Sequence, residues 1–153
     1  MTNSRPSEPI ITLIDSNVLL DIATEDPRWA DWSDANVAQA RDDGTVVINP
    51  IIYAEVSVGY ESIESLDDAL PASDFRREAL PFAAGFLAGK AFLVYRQRGG
   101  ARSSPIADFY VGAHAATKRY RLLTRDPSRY RTYFPSVQLI APDSSPSSAR
   151  PNP

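Results

Sequence analysis

The chain begins with a short apolar run that ends abruptly in polar residues. Residues 11–14, ITLI, are β-branched or aliphatic and are followed by Asp15, Ser16 and Asn17. An uninterrupted run of this length is typical of a strand buried on both faces of a parallel sheet. Later runs of the same kind predict three more strands, at 45–50 (TVVINP, ended by Pro50), 121–124 (RLLT) and 137–140 (VQLI).

Between these runs, apolar residues recur at helical spacing. Helices are therefore predicted from about Asn17, over 29–42 and 51–60, over 61–98 as a helical hairpin with an internal Pro81, over 104–120 with Ser104 and Pro105 at the start, and over 126–134. Strands that alternate with helices require crossover connections. The pattern thus predicts an α/β domain with a mostly parallel sheet of four or five strands and helices on both faces.

Composition limits the kind of chemistry that the domain can carry out. The 153 residues are 43% hydrophobic, enough for one globular domain with a sizeable core. There is no cysteine, which excludes disulfides and thiolate nucleophiles, and the single histidine, His114, excludes a histidine cluster. No run is long enough to span a membrane and the N-terminus has no secretory apolar region, so we expect a cytoplasmic protein.

Charge divides the chain into two parts. Residues 1–78 hold 16 acidic and 5 basic side chains, whereas residues 79–142 hold 10 basic and only 2 acidic ones, Asp108 and Asp126. Such asymmetry suggests a polyanionic partner, although helices rich in arginine for solubility alone would give the same count.

The tail from 142 to 153 is rich in proline and serine and is expected to be disordered. Residues 1–9 are expected to be flexible.

Four acids are expected to meet at one edge of the sheet, because parallel sheets bind ligands at the carboxyl ends of their strands. They are Asp15 after the first strand, Glu55 on the helix after the second, Asp108 at the start of a later helix, and Asp126 just past the third strand. Clustered carboxylates repel one another, and a hard divalent cation such as Mg²⁺ relieves the repulsion. One or two such ions could activate water against a phosphodiester.

Each acid also has a purely structural explanation. Asp126 before Pro127 has the pattern of a helix cap, and Asp15 has that of a turn or a cap. Asp108 would interact favourably with the dipole at the start of its helix, and Glu55 could lie on an exposed helix face. Ser16, Asn17 and Thr124 are predicted to support the acids. His114 is expected to be structural, and Asp21 to be a surface or supporting residue and not a fifth ligand. Core or dimer contacts are expected for four aromatic residues, Phe82, Phe86, Phe92 and Tyr95.

Four ordered motifs resemble a known family. LIDSNVLLDI, INPIIYAEVSVGY, DFYVGAHA and LLTRDPSRYRTYFP together are similar to the PIN-domain ribonucleases, and most of all to VapC-type toxins of bacterial toxin–antitoxin pairs. The resemblance covers residues 10–141 and carries the family's four acids onto Asp15, Glu55, Asp108 and Asp126. Residue 107 is alanine where relatives often have proline, which bears on how Asp108 is aimed.

The resemblance implies a specific activity and specific partners. It implies a three-layer α/β/α sandwich with a protruding helical hairpin at 61–98, cleavage of RNA with Mg²⁺ or Mn²⁺ to leave a 5′-phosphate, a homodimer, and inhibition by a cognate VapB-type antitoxin. Asp15 and Asp108 would bind the principal metal, and Glu55 and Asp126 would complete the site directly or through water.

Two other classes remain open at the level of sequence. A phosphoacceptor receiver domain also has an acidic pocket, but it needs a lysine after its last strand, and VQLIAPD has none. A catalytically silent PIN-like module that binds RNA or an antitoxin would share the fold. Such a module need not bind a divalent ion.

Overall fold

A single parallel sheet forms the centre of the structure. The computed structural model describes residues 9–100 and 106–142. The helices and strands are β1 (Ile10–Ile14), α1 (Ser16–Ala23), α2 (Ala30–Asp43), β2 (Gly44–Ile48), α3 (Pro50–Ser57), α4 (Ile63–Ala69), β3 (Arg76–Arg77), α5 (Phe82–Gln97), α6 (Ile106–Lys118), β4 (Arg121–Leu123), α7 (Ser128–Tyr133) and β5 (Leu139–Ile140).

The strand order is β3-β2-β1-β4-β5, and every pair is parallel. The chain moves from β1 outward to β2 and β3, then crosses back to β4 and β5. Because such crossovers are right-handed, this reversal places α1 to α4 on one face and α5 to α7 on the other. The predicted α/β/α sandwich is confirmed, with five strands. The reversal beside β1 opens a crevice at its carboxyl end.

The core lies on both faces of the two central strands. Leu13 and Ile14 of β1 and Val47 of β2 have no exposed surface, and neither do Ala113 and Ala115 of α6. Gly112 lets α6 lie close to α7, because a Cβ at this position would overlap the ring of Phe134. On this face α5 packs extensively against α6.

The hairpin at 61–98 differs from the prediction. Its first arm is a short helix, and the segment before the second arm contains the edge strand β3, which pairs with Val47 and Ile48 of β2. The second helix begins at Phe82, so Pro81 precedes it. Proline disfavours a helical conformation in the residue before it, which explains the later start.

Several boundaries also differ by a few residues. Strand β2 ends at Ile48, because Asn49 caps α3 by accepting a hydrogen bond from the Ile52 N–H, and Pro50 is the first helical residue. The predicted cap at Ser104 and Pro105 lies outside the described residues, as do the segments predicted to be flexible at 1–9 and disordered at 142–153, apart from residues 9 and 142. Within the described residues, no helix is long and apolar enough to cross a membrane.

Candidate functional site

Asp15 lies where β1 delivers the chain to the crevice. Its backbone N–H still donates to the Leu123 carbonyl of β4 at 2.9 Å, so the residue is held by the sheet. Its side chain caps α1, since Oδ1 accepts a hydrogen bond from the Ser16 N–H at 2.8 Å. The capping interpretation is therefore confirmed, and capping uses only one of the two carboxylate oxygens.

The second oxygen of Asp15 is held by residues from the other end of the chain. Oδ2 accepts hydrogen bonds from Thr124 Oγ1 at 2.8 Å and from the Tyr130 hydroxyl at 2.9 Å. The residue is only 3% exposed. Burial raises the pKa of Asp15 to about 6, and the charge of Asp108 adds to the rise, while the three hydrogen bonds oppose it. A cation at this edge would favour the ionised form.

Asp108 lies in the first turn of α6, as predicted. Its side chain is about one-third exposed, and Oδ2 accepts a hydrogen bond from Arg129 Nη1 at 2.9 Å. Burial raises the pKa of Asp108, as does the charge of Asp126, whereas the Arg129 guanidinium lowers it. Asp108 is thus within electrostatic range of both Asp15 and Asp126.

Glu55 reaches the same edge from α3. It accepts a hydrogen bond from Ser16 Oγ at 2.7 Å, which links it to the residue beside Asp15. Glu55 is half-buried, so it is not the freely exposed helix residue of the structural alternative. Its charge, with those of Asp15 and Asp108, helps to raise the pKa of Tyr130 above its usual range, although burial is the larger cause.

Asp126 is exposed beside this group. Its backbone N–H donates to Thr124 Oγ1 at 3.1 Å, so the strand-end threonine contacts both Asp15 and the Asp126 backbone. Helix α7, all of which is described, has Pro127 at its N-cap and no side-chain cap. The capping interpretation of Asp126 is therefore wrong, and the charge of Asp126 acts on Asp108 and Arg125.

Two predicted supporting residues tie the ends of β1 and β4 together. Asn17 Nδ2 lies 3.4 Å from Thr124 Oγ1, and Asn17 Oδ1 accepts a hydrogen bond from the Arg125 N–H at 3.1 Å. Ser16 holds Glu55, as described above. All three supporting residues therefore contact site residues or their immediate neighbours.

Asp21 is not on the helix surface. It is buried, and its carboxylate receives a two-pronged ion pair from Arg125, with Nε donating to Oδ2 at 2.7 Å and Nη2 to Oδ1 at 2.9 Å. Ser33 Oγ of α2 also donates to Oδ2. With both oxygens engaged, Asp21 fits the prediction that it is no fifth ligand, and it orients the arginine next to Asp126.

His114 is structural. It has no exposed surface, its Nε2 lies 2.8 Å from Glu78 Oε2, and its Nδ1 lies 3.0 Å from Asn49 Nδ2. These partners connect α6 to the residues that follow β3 and β2. His114 is thus separated from Asp108 on the same helix, as predicted.

Two contacts made by α7 were not predicted from the sequence. Tyr130 donates to Asp15, and Arg129 pairs with Asp108. In the sequence, Tyr130 looks the same as Tyr133, which instead packs its ring on Phe109 and Tyr95. The sequence offers one signal for Tyr130, which is its place in the first turn of the helix that follows the third predicted strand.

The basic residues near the third predicted strand are spread over more than one surface. Arg125 and Arg129 contact side chains at the site, but Arg121 lies at the amino end of β4 and pairs with Asp43 at 3.1 Å. Lys118 lies 3.9 Å from Glu78. Lys118 and Arg121 therefore add little positive charge at the acidic edge, although they lie near Asp126 in the sequence.

The aromatic residues of α5 divide into two groups. Phe92 and Tyr95 face inward, where both rings pack against Phe109. Phe82 is fully exposed and Phe86 is 70% exposed. The inner pair matches the core interpretation, and the outer pair leaves an apolar surface.

The donor chemistry of the four acids suits a hard cation, because every candidate ligand is a carboxylate oxygen. Within residues 9–100 and 106–142, however, no three histidine, aspartate or glutamate side chains are spaced to hold a metal as they stand. Arg129 engages Asp108 and Ser16 engages Glu55. A bound ion would therefore require small side-chain movements.

Comparisons with known proteins agree with this fold. A family model described as PIN domain matches residues 12–135. Among curated proteins, no relative matches in sequence. The fold is similar to VapBC2 from Rickettsia felis bound to a promoter DNA fragment (TM-score 0.68, 19% identity, covering 88% of this chain and 100% of that one). It is also similar to VapBC-1 from nontypeable Haemophilus influenzae (TM-score 0.65, 16% identity, 86% and 98% covered).

Proposed function

The chain belongs to the PIN domain family, and on this basis we propose that it is a metal-dependent endoribonuclease and the toxin of a type II toxin–antitoxin pair. The observation that carries the proposal is the meeting of Asp15, which follows β1, and Asp108, in the first turn of α6, at the carboxyl end of β1. Their charges interact, and burial raises the pKa of both. A buried carboxylate with a second, partly exposed carboxylate in electrostatic range is costly at a ligand-binding edge unless a cation or proton neutralises the charge.

The proposed cofactor is Mg²⁺ or Mn²⁺. Asp15 and Asp108 would hold the principal ion, with Glu55 and Asp126 completing the site directly or through water. When bound, the ion supplies neutralising charge and Lewis acidity to a phosphodiester. The protein residues orient the ligands: Thr124 and Tyr130 fix Asp15, and Ser16 fixes Glu55.

RNA is the proposed substrate, cleaved to leave a 5′-phosphate. One arginine at the site supports a polyanionic substrate, since Arg129 contacts Asp108, whereas the side chain of Arg125 is held by Asp21. Arginine matches phosphate oxygens with two parallel N–H donors. With His114 buried away from the acids, no histidine is assigned as a general base.

Two substitutions test the activity. Asp15→Asn and Asp108→Asn proteins are expected to lose RNA cleavage and growth inhibition by at least about a hundredfold, while their circular dichroism spectra match the wild type. Asp43→Asn is the matched control, because Asp43 pairs with Arg121 at the opposite edge of the sheet. Full cleavage by either test variant would remove the proposed mechanism.

The proposed partners are a VapB-type antitoxin and a second copy of the chain, both acting at α5. Phe82, Phe86 and Leu93 are exposed along this helix, and apolar surfaces of this kind mark protein interfaces. Several structures with this fold are described as VapBC.

Light scattering is expected to give a dimer mass for the wild type and a monomer mass for Phe86→Ser. Val58→Ser, which alters an exposed residue after α3, is the control and should stay dimeric.

A silent binding module is the second candidate, and the absence of a preformed group of three acids within the described residues favours it. Calorimetry separates the two candidates. The enzyme binds Mn²⁺ and loses that binding in Asp15→Asn, whereas the silent module shows no Mn²⁺ binding in either protein.

A further inference from the structure

Arg129 occupies the carboxylate that the proposed metal would need. Its Nη1 donates to Asp108 Oδ2 at 2.9 Å, and both side chains are 35% exposed. The guanidinium also lies 5.9 Å from the centre of the Tyr95 ring on α5. Arg129 thus makes an ion pair with Asp108 and a cation–π contact with Tyr95. The cation–π contact does not depend on Asp108.

The helix that carries Arg129 is fixed relative to the acids. The adjacent Tyr130 is buried and bonded to Asp15, and Phe134 just beyond the helix packs on Gly112 of α6. Helix α6 in turn carries Asp108. Movement of Arg129 relative to Asp108 is therefore confined to the arginine side chain, whose long stem spans several ångströms.

A guanidinium and a divalent cation compete for the same oxygen. If the ion binds Asp108 while Arg129 stays, two positive charges lie within a few ångströms of each other in a partly buried crevice. Moving Arg129 toward solvent removes this repulsion and leaves its N–H donors free. The ligand best matched to those donors at this edge is a phosphate group of the substrate strand.

We infer that Arg129 is a substrate-binding residue that covers Asp108 in the metal-free protein and turns to an RNA phosphate when a divalent ion takes Asp108. The inference rests on the proposed function and adds to it an order of events and a residue. It predicts opposite effects of one substitution: removing the Arg129 charge strengthens metal binding and weakens RNA binding. An arginine that only stabilised the fold would produce neither effect.

The metal test is calorimetric titration of Mn²⁺ at about pH 8, above the pKa of Asp15, which is about 6. Arg129→Gln is expected to bind Mn²⁺ about five- to tenfold more tightly than the wild type, and Arg129→Lys to stay closer to the wild type because it keeps the charge. Arg41→Gln is the matched control. It removes an Arg–Asp pair of similar length and exposure, Arg41 with Asp74 at 3.0 Å, at the amino end of the sheet.

The RNA test uses a labelled single-stranded RNA of about 20 nucleotides, with Ca²⁺ replacing Mn²⁺ and a gel confirming that the RNA stays intact. Arg129→Gln is expected to bind at least about fivefold more weakly, and the slope of log K against log salt should decrease by roughly 0.7, the value for one lost phosphate contact on a single strand. Arg41→Gln should keep the wild-type slope.

The possible outcomes separate this inference from the proposed function. If the wild type binds Mn²⁺ and cleaves RNA but Arg129→Gln changes neither affinity, the inference is overturned and the proposed function stands. If the wild type binds no Mn²⁺, both are overturned. Should Arg129→Gln fail to fold, Arg129→Lys must still show weaker RNA binding with near wild-type Mn²⁺ affinity, because lysine lacks the two parallel donors.

Discussion

The Tyr130 hydroxyl donates to Asp15 Oδ2 at 2.9 Å across 115 positions of the sequence, and both residues are buried. The first strand therefore supplies the carboxylate, and the last helix fixes how it points. The Thr124 hydroxyl completes the arrangement from the end of β4. Any change that moves α7 is expected to change Asp15 as well.

Removing this hydroxyl tests that dependence. Tyr130→Phe deletes a donor to a buried carboxylate, so the pKa of Asp15 should rise further and the free energy of unfolding should fall by about 1 kcal/mol. Mn²⁺ affinity near neutral pH should fall several-fold by calorimetry. Tyr133→Phe on the same helix is the control, since the Tyr133 ring packs on Phe109. Equal effects of the two substitutions would contradict the role assigned to Tyr130.

The raised pKa of Asp15 predicts how stability depends on pH. Between about pH 4 and 6 the unfolded chain has released a proton that folded Asp15 retains, so the contribution of Asp15 to stability falls as pH rises through this window. The total loss is about 3 kcal/mol above pH 6. Asp15→Asn removes this cost while keeping an oxygen acceptor for the Ser16 N–H.

Urea unfolding in EDTA at several pH values measures this cost. The difference between Asp15→Asn and the wild type should grow in favour of the variant from about pH 4 to pH 6 and then level off. Because the other acids are present in both proteins, this difference in the free energy of unfolding reports on Asp15 alone. Parallel curves for the two proteins would show that Asp15 ionises normally.

The ion pair between Asp21 and Arg125 should stabilise the junction of α1, α2 and β4. The Asp21 side chain is 4% exposed and that of Arg125 is 31% exposed, so Asp21→Asn leaves a partly buried guanidinium without its charged partner. We expect the free energy of unfolding to fall by about 2 kcal/mol. Asp67→Asn, which breaks the more exposed pair with Arg77, should cost less than about 1 kcal/mol. Chemical denaturation of both variants checks the order.

Two helical glycines should respond to alanine in opposite directions. At Gly112 the new methyl group would overlap the Phe134 ring, and we expect a loss of about 2 kcal/mol. At Gly89 of α5 no atom lies within 4 Å of the new Cβ, so alanine should stabilise the helix by about 1 kcal/mol. Thermal melts in the Phe86→Ser background, which is expected to be monomeric, keep any effect on association separate. Destabilisation by Gly89→Ala there would contradict the assignment.

Much of the architecture could be predicted because its signals are local. The run ITLI followed by Asp15 specifies a buried strand and its end within a few residues. Most helices on the two faces of the sheet follow from the spacing of apolar residues. The edge strand at Arg76 and Arg77 could not be predicted in this way. Two exposed, charged residues have no strand pattern of their own, and they form a strand only because β2 offers them hydrogen bonds.

By itself, the sequence determined which acids stand at strand ends and helix starts, since strand ends and caps depend on neighbouring residues. Only the tertiary structure decided what those acids contact. Asp21 has the sequence setting of a surface residue, yet the fold buries it against Arg125, and Tyr130 differs from Tyr133 only in which way α7 turns it. Such contacts join residues a hundred or more positions apart. They depend on how the sheet and helices pack, and no local pattern records that packing.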